Sequence, residues 1–163
     1  TFGLRLKPNN LLEDIDLDLF DALAIPGGFE PSGFYDEALS EEFLNVIRHF
    51  SGKGKIIASV CVSSICLGAA GILNGKKATT YHQLGGKRKQ QLVDSGAIFI
   101  DEPIVCDGSI ITSTGPGTAL EVAFTLLEKL TDEANREKLQ QVMRMPQPSK
   151  EWYQTPQVTK NLM

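Results

Sequence analysis

The stretch IIASVCVSSICLGAAGIL, residues 56–73, decides the fold of this 163-residue chain. Its first half is a short run of β-branched and small apolar residues, which is typical of a buried strand. Its second half has the length and pattern of a helix, and Asn74-Gly75 supplies a helix-ending signal after it. The stretch therefore predicts a strand, a sharp turn at Cys61 and a helix.

Strands and helices alternate on both sides of this stretch. DALAI (21–25) predicts a strand that stops at Pro26-Gly27-Gly28, and SEEFLNVIRHF (40–50) predicts an amphipathic helix capped by Ser40. Further strands are expected at KATTY (77–81), AIFI (97–100), IVC (104–106) and SIITS (109–113), and further helices over 87–95, 119–130 and 132–144. This alternation predicts an α/β fold with a mostly parallel sheet covered on both faces.

The C-terminal half carries two local signals. Asp107-Gly108 predicts a hairpin between the last two strands, and Thr118 with Glu121 has the spacing of a capping box before the helix over 119–130. The apolar stripe of that helix is expected to be Leu120, Phe124, Leu127 and Leu130. Residues 1–145 are predicted to form a single domain, and residues 146–163, which lack periodicity, a C-terminal tail.

Composition and charge restrict the class of protein. A formal net charge of −4 gives no global reason to expect a nucleic-acid partner, and no run of about 18 apolar residues is present to span a membrane. The one basic cluster, Lys87-Arg88-Lys89, is interpreted as the solvated start of a helix. We therefore expect neither nucleic acid nor membrane as a partner.

Cysteine and histidine usage indicates the compartment and the cofactors. The three cysteines make an odd count, which argues against a disulfide framework and favours the reducing cytoplasm. The two histidines and three cysteines include no Cys-x-x-Cys or His-x-x-x-His spacing, so no metal site is predicted. No feature of the sequence calls for a cofactor.

Two turns fall where α/β sheets bind ligands, at the carboxyl ends of strands: the Pro26-Gly27-Gly28 loop and Cys61. At such a turn the helix N-terminus is expected to lower the pKa of Cys61, and the N–H of Val62 and an N–H of the Gly-Gly loop would form an oxyanion hole. The alternative is that Cys61 is an inert core thiol, since cysteine is often buried.

Three segments, in this order, resemble the DJ-1/PfpI (ThiJ) superfamily: ALAIPGGFE (22–30), ASVCVSSICLGAAGILNGKKATTYH (58–82) and DGSIITSTGPGTALEVAFTLLEKL (107–130). The resemblance covers about residues 12–131. It implies a flavodoxin-like three-layer α/β sandwich, assembled as a homo-oligomer, usually a dimer. It also implies that Cys61 is the nucleophile and that Gly28 and Val62 supply the oxyanion-hole amides.

The chain departs from the family pattern around the cysteine. Ser63 stands where many members have glycine, and Val62 stands where the protease-like branch has histidine, so a Cys-His dyad of that type is not expected. Other members place a histidine after the Ala-Thr-Thr strand, where this chain has Tyr81 and then His82. Either residue is a candidate partner for Cys61, and a structural role for His82 is equally open.

A larger departure lies at the front of the chain. Family members begin with a strand, a helix and a second strand, and a glutamate after the first strand hydrogen-bonds the cysteine. This chain starts with GLRLKPNNLLEDI (3–15), so that N-terminal unit and its glutamate are expected to be missing. Glu30 is the local acid considered as a substitute, with an exposed loop residue as the alternative. We expect Gly27, Phe29, Glu30 and Ser63 to line the pocket.

The leading hypothesis is therefore a cysteine-dependent enzyme that acts on a small carbonyl, amide or nitrile-like substrate. Glyoxalase-like or deglycase-like, hydratase and amidase activities all occur in the family that the chain resembles. The alternative is a non-catalytic redox or ligand sensor built on a reactive Cys61. A glutamine amidotransferase domain is set aside, because neither His49 nor His82 lies in a late His-x-Glu motif.

Overall fold

A computed structural model describes Gly3 and residues 5–145 of the chain; the predicted tail lies outside the described residues. The strands are β1 (Ala22–Ile25), β2 (Ile56–Ser59), β3 (Lys77–Ala78), β4 (Ile98–Phe99), β5 (Ile104–Asp107) and β6 (Ile110–Ser113). The helices are α1 (Phe34–Ala38), α2 (Glu41–Gly52), α3 (Ser64–Ala69), α4 (Arg88–Asp94), α5 (Ala119–Leu130) and α6 (Glu133–Val142). Short 3-10 turns span Leu12–Asp14, Leu17–Leu19, Glu30–Ser32, Cys61–Ser63 and Pro116–Thr118.

The main sheet has four strands in the order β1-β2-β6-β5. Strands β1, β2 and β6 are parallel, while β5 and β6 are antiparallel. The hairpin predicted between these last two strands is confirmed, and Gly108, with φ 61°, lies in its two-residue turn. Strands β3 and β4 form a separate parallel pair. Within the described residues β1 pairs with one strand, β2.

The sheet is covered on both faces, which confirms the three-layer α/β prediction. Side chains alternate across a strand, so adjacent residues of β2 enter different cores. Ile57 belongs to the larger core, with Ile47 and Phe50 of α2, whereas Ala58 belongs to a smaller core with residues of β6 and α5. These layers leave the carboxyl ends of β1 and β2 side by side.

The α2 helix forms as its sequence predicts. The Ser40 side chain accepts a hydrogen bond from the Phe43 N–H at 3.2 Å, which satisfies one of the free donors of the first turn. Within the described residues, no helix is long and apolar enough to cross a membrane.

The start of α5 differs from the prediction. Thr118 has a helical rather than an extended backbone, and its hydroxyl donates to the Gly115 carbonyl at 2.7 Å, so the capping box is not formed. The predicted apolar stripe is also partly wrong, because Leu120 is 54% and Leu130 is 44% exposed. Val122 and Phe124 are the buried residues of this helix.

The deciding stretch folds as strand, turn and helix, but its helix is shorter than predicted. After β2 the chain passes through the 3-10 turn at Cys61–Ser63, and α3 ends at Ala69. The strand predicted over 77–81 is also shorter, since β3 holds only two residues. Beyond it the buried Thr79 N–H donates at 2.9 Å to the side-chain hydroxyl of Thr112 in β6 and not to a backbone carbonyl.

Candidate active site around Cys61

The backbone at Cys61 adopts a conformation that L-residues seldom take. Its φ is +63°, in the left-handed region where a β-carbon crowds the following carbonyl. Val60 before it is extended and Ser63 after it is helical, so the chain reverses from strand to helix within one turn. The thiol is half-buried and accepts a hydrogen bond from the Val62 N–H. The sharp strand-to-helix turn that the sequence predicts at Cys61 is therefore present, and the role of Cys61 as a nucleophile stays a prediction.

Buried hydrogen bonds hold this turn. The Ser63 hydroxyl lies 3.0 Å from the Ile25 carbonyl oxygen and 2.7 Å from that of Val60, and it shares its single proton between them. The Cys61 carbonyl accepts from the Tyr81 N–H at 3.3 Å. Ser63 was expected to line the pocket, but it is fully buried. Its side chain instead stabilises the turn.

The glycine loop after β1 reaches the thiol, as the sequence predicts, through its first glycine. A β-carbon on Gly27 would lie 2.7 Å from Cβ and 3.4 Å from Sγ of Cys61, and 3.1 Å from the Val60 carbonyl oxygen. Only glycine permits this approach. At Gly28 the closest neighbour is instead the Phe34 ring, so Gly28 as an oxyanion donor remains a prediction.

The charge state of Cys61 differs from the prediction. Burial raises the pKa of its thiol, and the Val62 N–H and the Arg88 guanidinium offset this rise only in part. The Val62 N–H, in the 3-10 turn that leads into α3, does lower the pKa as expected, but the loss of hydration at the half-buried sulfur is the larger effect. The resting form of Cys61 is therefore the thiol.

Tyr81 and His82 leave the Ala-Thr-Thr segment in different directions. The Tyr81 backbone is bonded to Cys61, and its ring packs where a β-carbon on Gly115 would lie 3.5 Å away. The His82 Nδ1 lies 2.9 Å from the Thr80 carbonyl oxygen, and its Nε2 lies 3.1 Å from Oδ1 of Asp101. Both neighbours are acceptors, so both contacts are hydrogen bonds only when each nitrogen carries a proton.

Glu30 does not substitute for the family's glutamate beside the cysteine. Its carboxylate pairs with Lys87 at 3.0 Å and with Arg88. The hydrogen bond from Lys87, together with the two positive charges, lowers the pKa of Glu30, so it remains ionised. The described residues place no carboxylate in hydrogen-bond contact with the Cys61 thiol. Phe29, next to Glu30, is 55% exposed.

Two residues of this region, Tyr35 and Arg88, were not predicted as site residues. The Arg88 guanidinium lies 4.4 Å from the Tyr35 ring centre, and its side chain is only 14% exposed. The interpretation of this basic cluster as a solvated helix start is therefore wrong for Arg88, although it fits Lys87, whose side chain is 62% exposed. Stacking on a distant aromatic ring leaves no local sequence pattern, so no signal could have revealed it.

The other two cysteines, Cys66 and Cys106, lie outside this arrangement. Cys66 is fully buried in the larger core, and burial raises the pKa of its thiol to about 11. Cys106 is exposed.

A cleft of about 650 Å³ runs beside α1 and α2; it includes Pro26 but not Cys61. The described residues contain no cluster of three or more side chains arranged to hold a metal ion.

The sequence matches the DJ-1/PfpI family over residues 1–129, so the chain belongs to this family. This membership agrees with the α/β fold, with the sharp turn at Cys61 and with the packing of Gly27 against the Cys61 sulfur.

Named relatives refine the comparison. The chain is 34% identical to protein dj-1beta of Drosophila melanogaster over 143 residues, covering 86% of this chain and 71% of that protein. The crystal structure of Drosophila DJ-1beta superposes with a TM-score of 0.66 at 29% identity, over 78% of this chain and 66% of that one. Isonitrile hydratase of Pseudomonas putida is 35% identical, over 78% of this chain and 52% of that protein. Deglycase PfpI of Pyrococcus furiosus is 30% identical, over 71% of this chain and 65% of that protein.

Proposed function

We propose that the chain is a cysteine-dependent enzyme that acts on a small carbonyl, amide or nitrile-like substrate, with Cys61 as the nucleophile. The observation that supports this most is the left-handed backbone at Cys61, with Gly27 packed against its sulfur. Such strain persists only where the surroundings enforce it, and it clusters at functional turns. Relatives named as a deglycase and an isonitrile hydratase support two of these substrate classes, the carbonyl and the nitrile-like compounds.

In the proposed first step on a carbonyl substrate, the Cys61 sulfur donates an electron pair to the electrophilic carbon and forms an S–C bond. The carbonyl π electrons move to oxygen, and the N–H groups of Val62 and Gly28 hold the resulting oxyanion. A proton then completes a hemithioacetal. Because the resting thiol is protonated, the same step needs a group that removes its proton.

Tyr81 is the better candidate for this proton transfer, with His82 as the alternative. Tyr81 is bonded through its backbone to the Cys61 carbonyl, whereas the His82 nitrogens lie against Thr80 and Asp101. Exchanging Tyr81 for phenylalanine keeps the ring beside Gly115 and removes only the hydroxyl.

The test compares turnover by the wild type, Cys61→Ser and Cys106→Ser. The substrates are methylglyoxal, a small primary amide and a small isonitrile. We expect Cys61→Ser to lose at least about a thousandfold in turnover of one of them, the scale on which nucleophiles act. Cys106→Ser, which alters an exposed thiol elsewhere, should match the wild type. Undiminished turnover by Cys61→Ser would refute the proposal.

The alternative proposal, a redox or ligand sensor, predicts a different result from the same proteins. Hydrogen peroxide would then oxidise Cys61 stoichiometrically to a sulfenic acid, with water as the other product, while none of the substrates is turned over. Mass spectrometry of the peptide that contains Cys61 distinguishes the two functions. We further propose that the protein acts in the cytoplasm, as its cysteine usage indicates, and as a homo-oligomer, as its family resemblance implies.

A further inference from the structure

A net positive cluster lies on the α4 side of Cys61. Glu30 is shared between Lys87, at 3.0 Å, and Arg88, so one carboxylate faces two cations. The Arg88 charge also acts on Cys61, where it lowers the pKa of the thiol. In this cluster two cations share one carboxylate, and such a local excess of positive charge favours an anionic ligand.

Two hydrogen bonds and a stacking contact hold the Arg88 guanidinium in place. Its Nη1 donates to Oε1 of Gln91 at 2.8 Å, its Nη2 donates to Glu30, and the Tyr35 ring covers one face. A guanidinium has five N–H groups, and these two hydrogen bonds use two of them. A fork held in this way loses little side-chain entropy when it binds a carboxylate.

Tyr35 adds an unused donor at the same place. Its hydroxyl oxygen is buried and has no hydrogen-bond partner within residues 5–145. Burial raises the pKa of Tyr35 to about 12, and the charge of Cys61 is among the smaller contributions to this rise. The hydroxyl therefore stays protonated, at the edge of the ring that stacks against the Arg88 guanidinium. A buried donor without a partner is costly unless a ligand satisfies it.

We propose that Arg88 and Tyr35 select substrates that carry a carboxylate next to the electrophilic carbon, that is, 2-oxo acids. This inference rests on the proposed function, since the electrophilic carbon is the one that Cys61 attacks. The guanidinium binds the carboxylate through its spare N–H groups, and the Tyr35 hydroxyl donates a further hydrogen bond. Neutral carbonyl compounds lack the charge-assisted hydrogen bonds to Arg88.

The first test uses a matched pair of alkylating reagents on Cys61. Iodoacetate and iodoacetamide both form an S–C bond and release iodide, but only iodoacetate carries a carboxylate. The ratio of their two rates cancels any change in the thiolate fraction. We expect this ratio to fall about tenfold in Arg88→Gln, the effect of losing one good charged contact. Lys89→Gln, the same charge change one residue later, should retain the wild-type ratio.

Two further variants keep the test decisive if Arg88→Gln folds poorly. Arg88→Lys keeps the charge without the fork and should recover part of the ratio. Tyr35→Phe keeps the ring under Arg88 and should lower the ratio about threefold, the smaller effect of one neutral donor. Equal ratios in the wild type, Tyr35→Phe and whichever Arg88 variant folds would overturn the inference.

A binding experiment separates this inference from the proposed function. Pyruvate and its neutral counterpart pyruvamide are titrated calorimetrically into Cys61→Ser, which cannot react. We expect pyruvate to bind more tightly than pyruvamide, and to weaken about tenfold when Arg88→Gln is added. That result supports the anion site even if the wild type proves inactive. Absence of any preference for pyruvate would refute the anion site even if Cys61 proves catalytic.

Discussion

The two sides of Cys61 are held by different forces. On the β-sheet side, the turn is fixed by backbone contacts and by the fully buried Ser63 hydroxyl. On the α4 side, Glu30 joins Lys87 and Arg88 through ion pairs whose carboxylate is 52% exposed. Steric contact and buried hydrogen bonds are insensitive to salt, whereas exposed ion pairs are screened. The first side therefore fixes where the sulfur lies, and the second fixes the charge around it.

Gly27→Ala should produce the largest effect, because it acts on the rigid side. The new β-carbon would lie 2.7 Å from Cβ of Cys61 and 3.1 Å from a backbone oxygen, neither of which can easily move. We expect a loss of about 2 kcal/mol or more in the free energy of unfolding, measured in urea, together with slower alkylation of Cys61. Gly117→Ala is the control, since nothing lies within 4 Å of its new β-carbon. Equal stability of the two variants would mean that the loop does not press on the thiol.

Ser63→Ala should rank second. It removes the hydroxyl that donates to the carbonyls of Ile25 and Val60, each of which keeps one backbone N–H donor, and we expect a loss of about 1 kcal/mol. Ser64→Ala is the matched comparison, because Ser64 is equally buried but donates to one carbonyl, at 3.4 Å. Chemical unfolding of both should show the smaller loss for Ser64→Ala. The opposite order would show that the Ser63 contacts do not brace the turn.

Glu30→Gln should change stability least, because it acts on the exposed side. The midpoint of urea unfolding should stay within error of the wild type, as it should for Glu41→Gln, which breaks the exposed pair with Arg48. The difference should appear at the thiol. Without the Glu30 carboxylate, the charge of Arg88 is no longer neutralised. The iodoacetate-to-iodoacetamide rate ratio of Cys61 should therefore rise about twofold at low salt, whereas Glu41→Gln should leave it unchanged. A large loss of stability in Glu30→Gln would contradict the contrast between the two sides.

The sequence predicts the layers of this fold well, because they depend on local patterns. Strand β2 and helix α2 follow from a short apolar run and from an apolar face with a serine cap. Thr118 shows the limit of such signals. A capping box needs an extended backbone at the cap, and here the 3-10 turn over Pro116–Thr118 continues directly into α5 with a helical backbone at Thr118.

The sequence predicts those contacts of the candidate site that follow from strand topology, but not those made by residues brought together from distant segments. Cys61 and Gly27 end neighbouring strands, and parallel strands bring their carboxyl ends together, so their meeting follows from the topology. Arg88 meets Tyr35 and Glu30 only because α4 folds back over the chain that follows β1. The pKa direction of Cys61 depends on how deeply the sulfur is buried, which residue spacing does not encode.

The buried Cys66 gives this protein a built-in reporter of core opening. In the unfolded chain this thiol ionises near its ordinary pKa of about 8.5, but in the folded chain only near 11. Below the lower value both states keep the proton, and stability is unaffected. Between the two values the unfolded state alone releases it, so the free energy of unfolding falls by about 1.4 kcal/mol per pH unit. Because the folded core excludes reagents from Cys66, its modification at mildly alkaline pH measures how often α3 leaves the core.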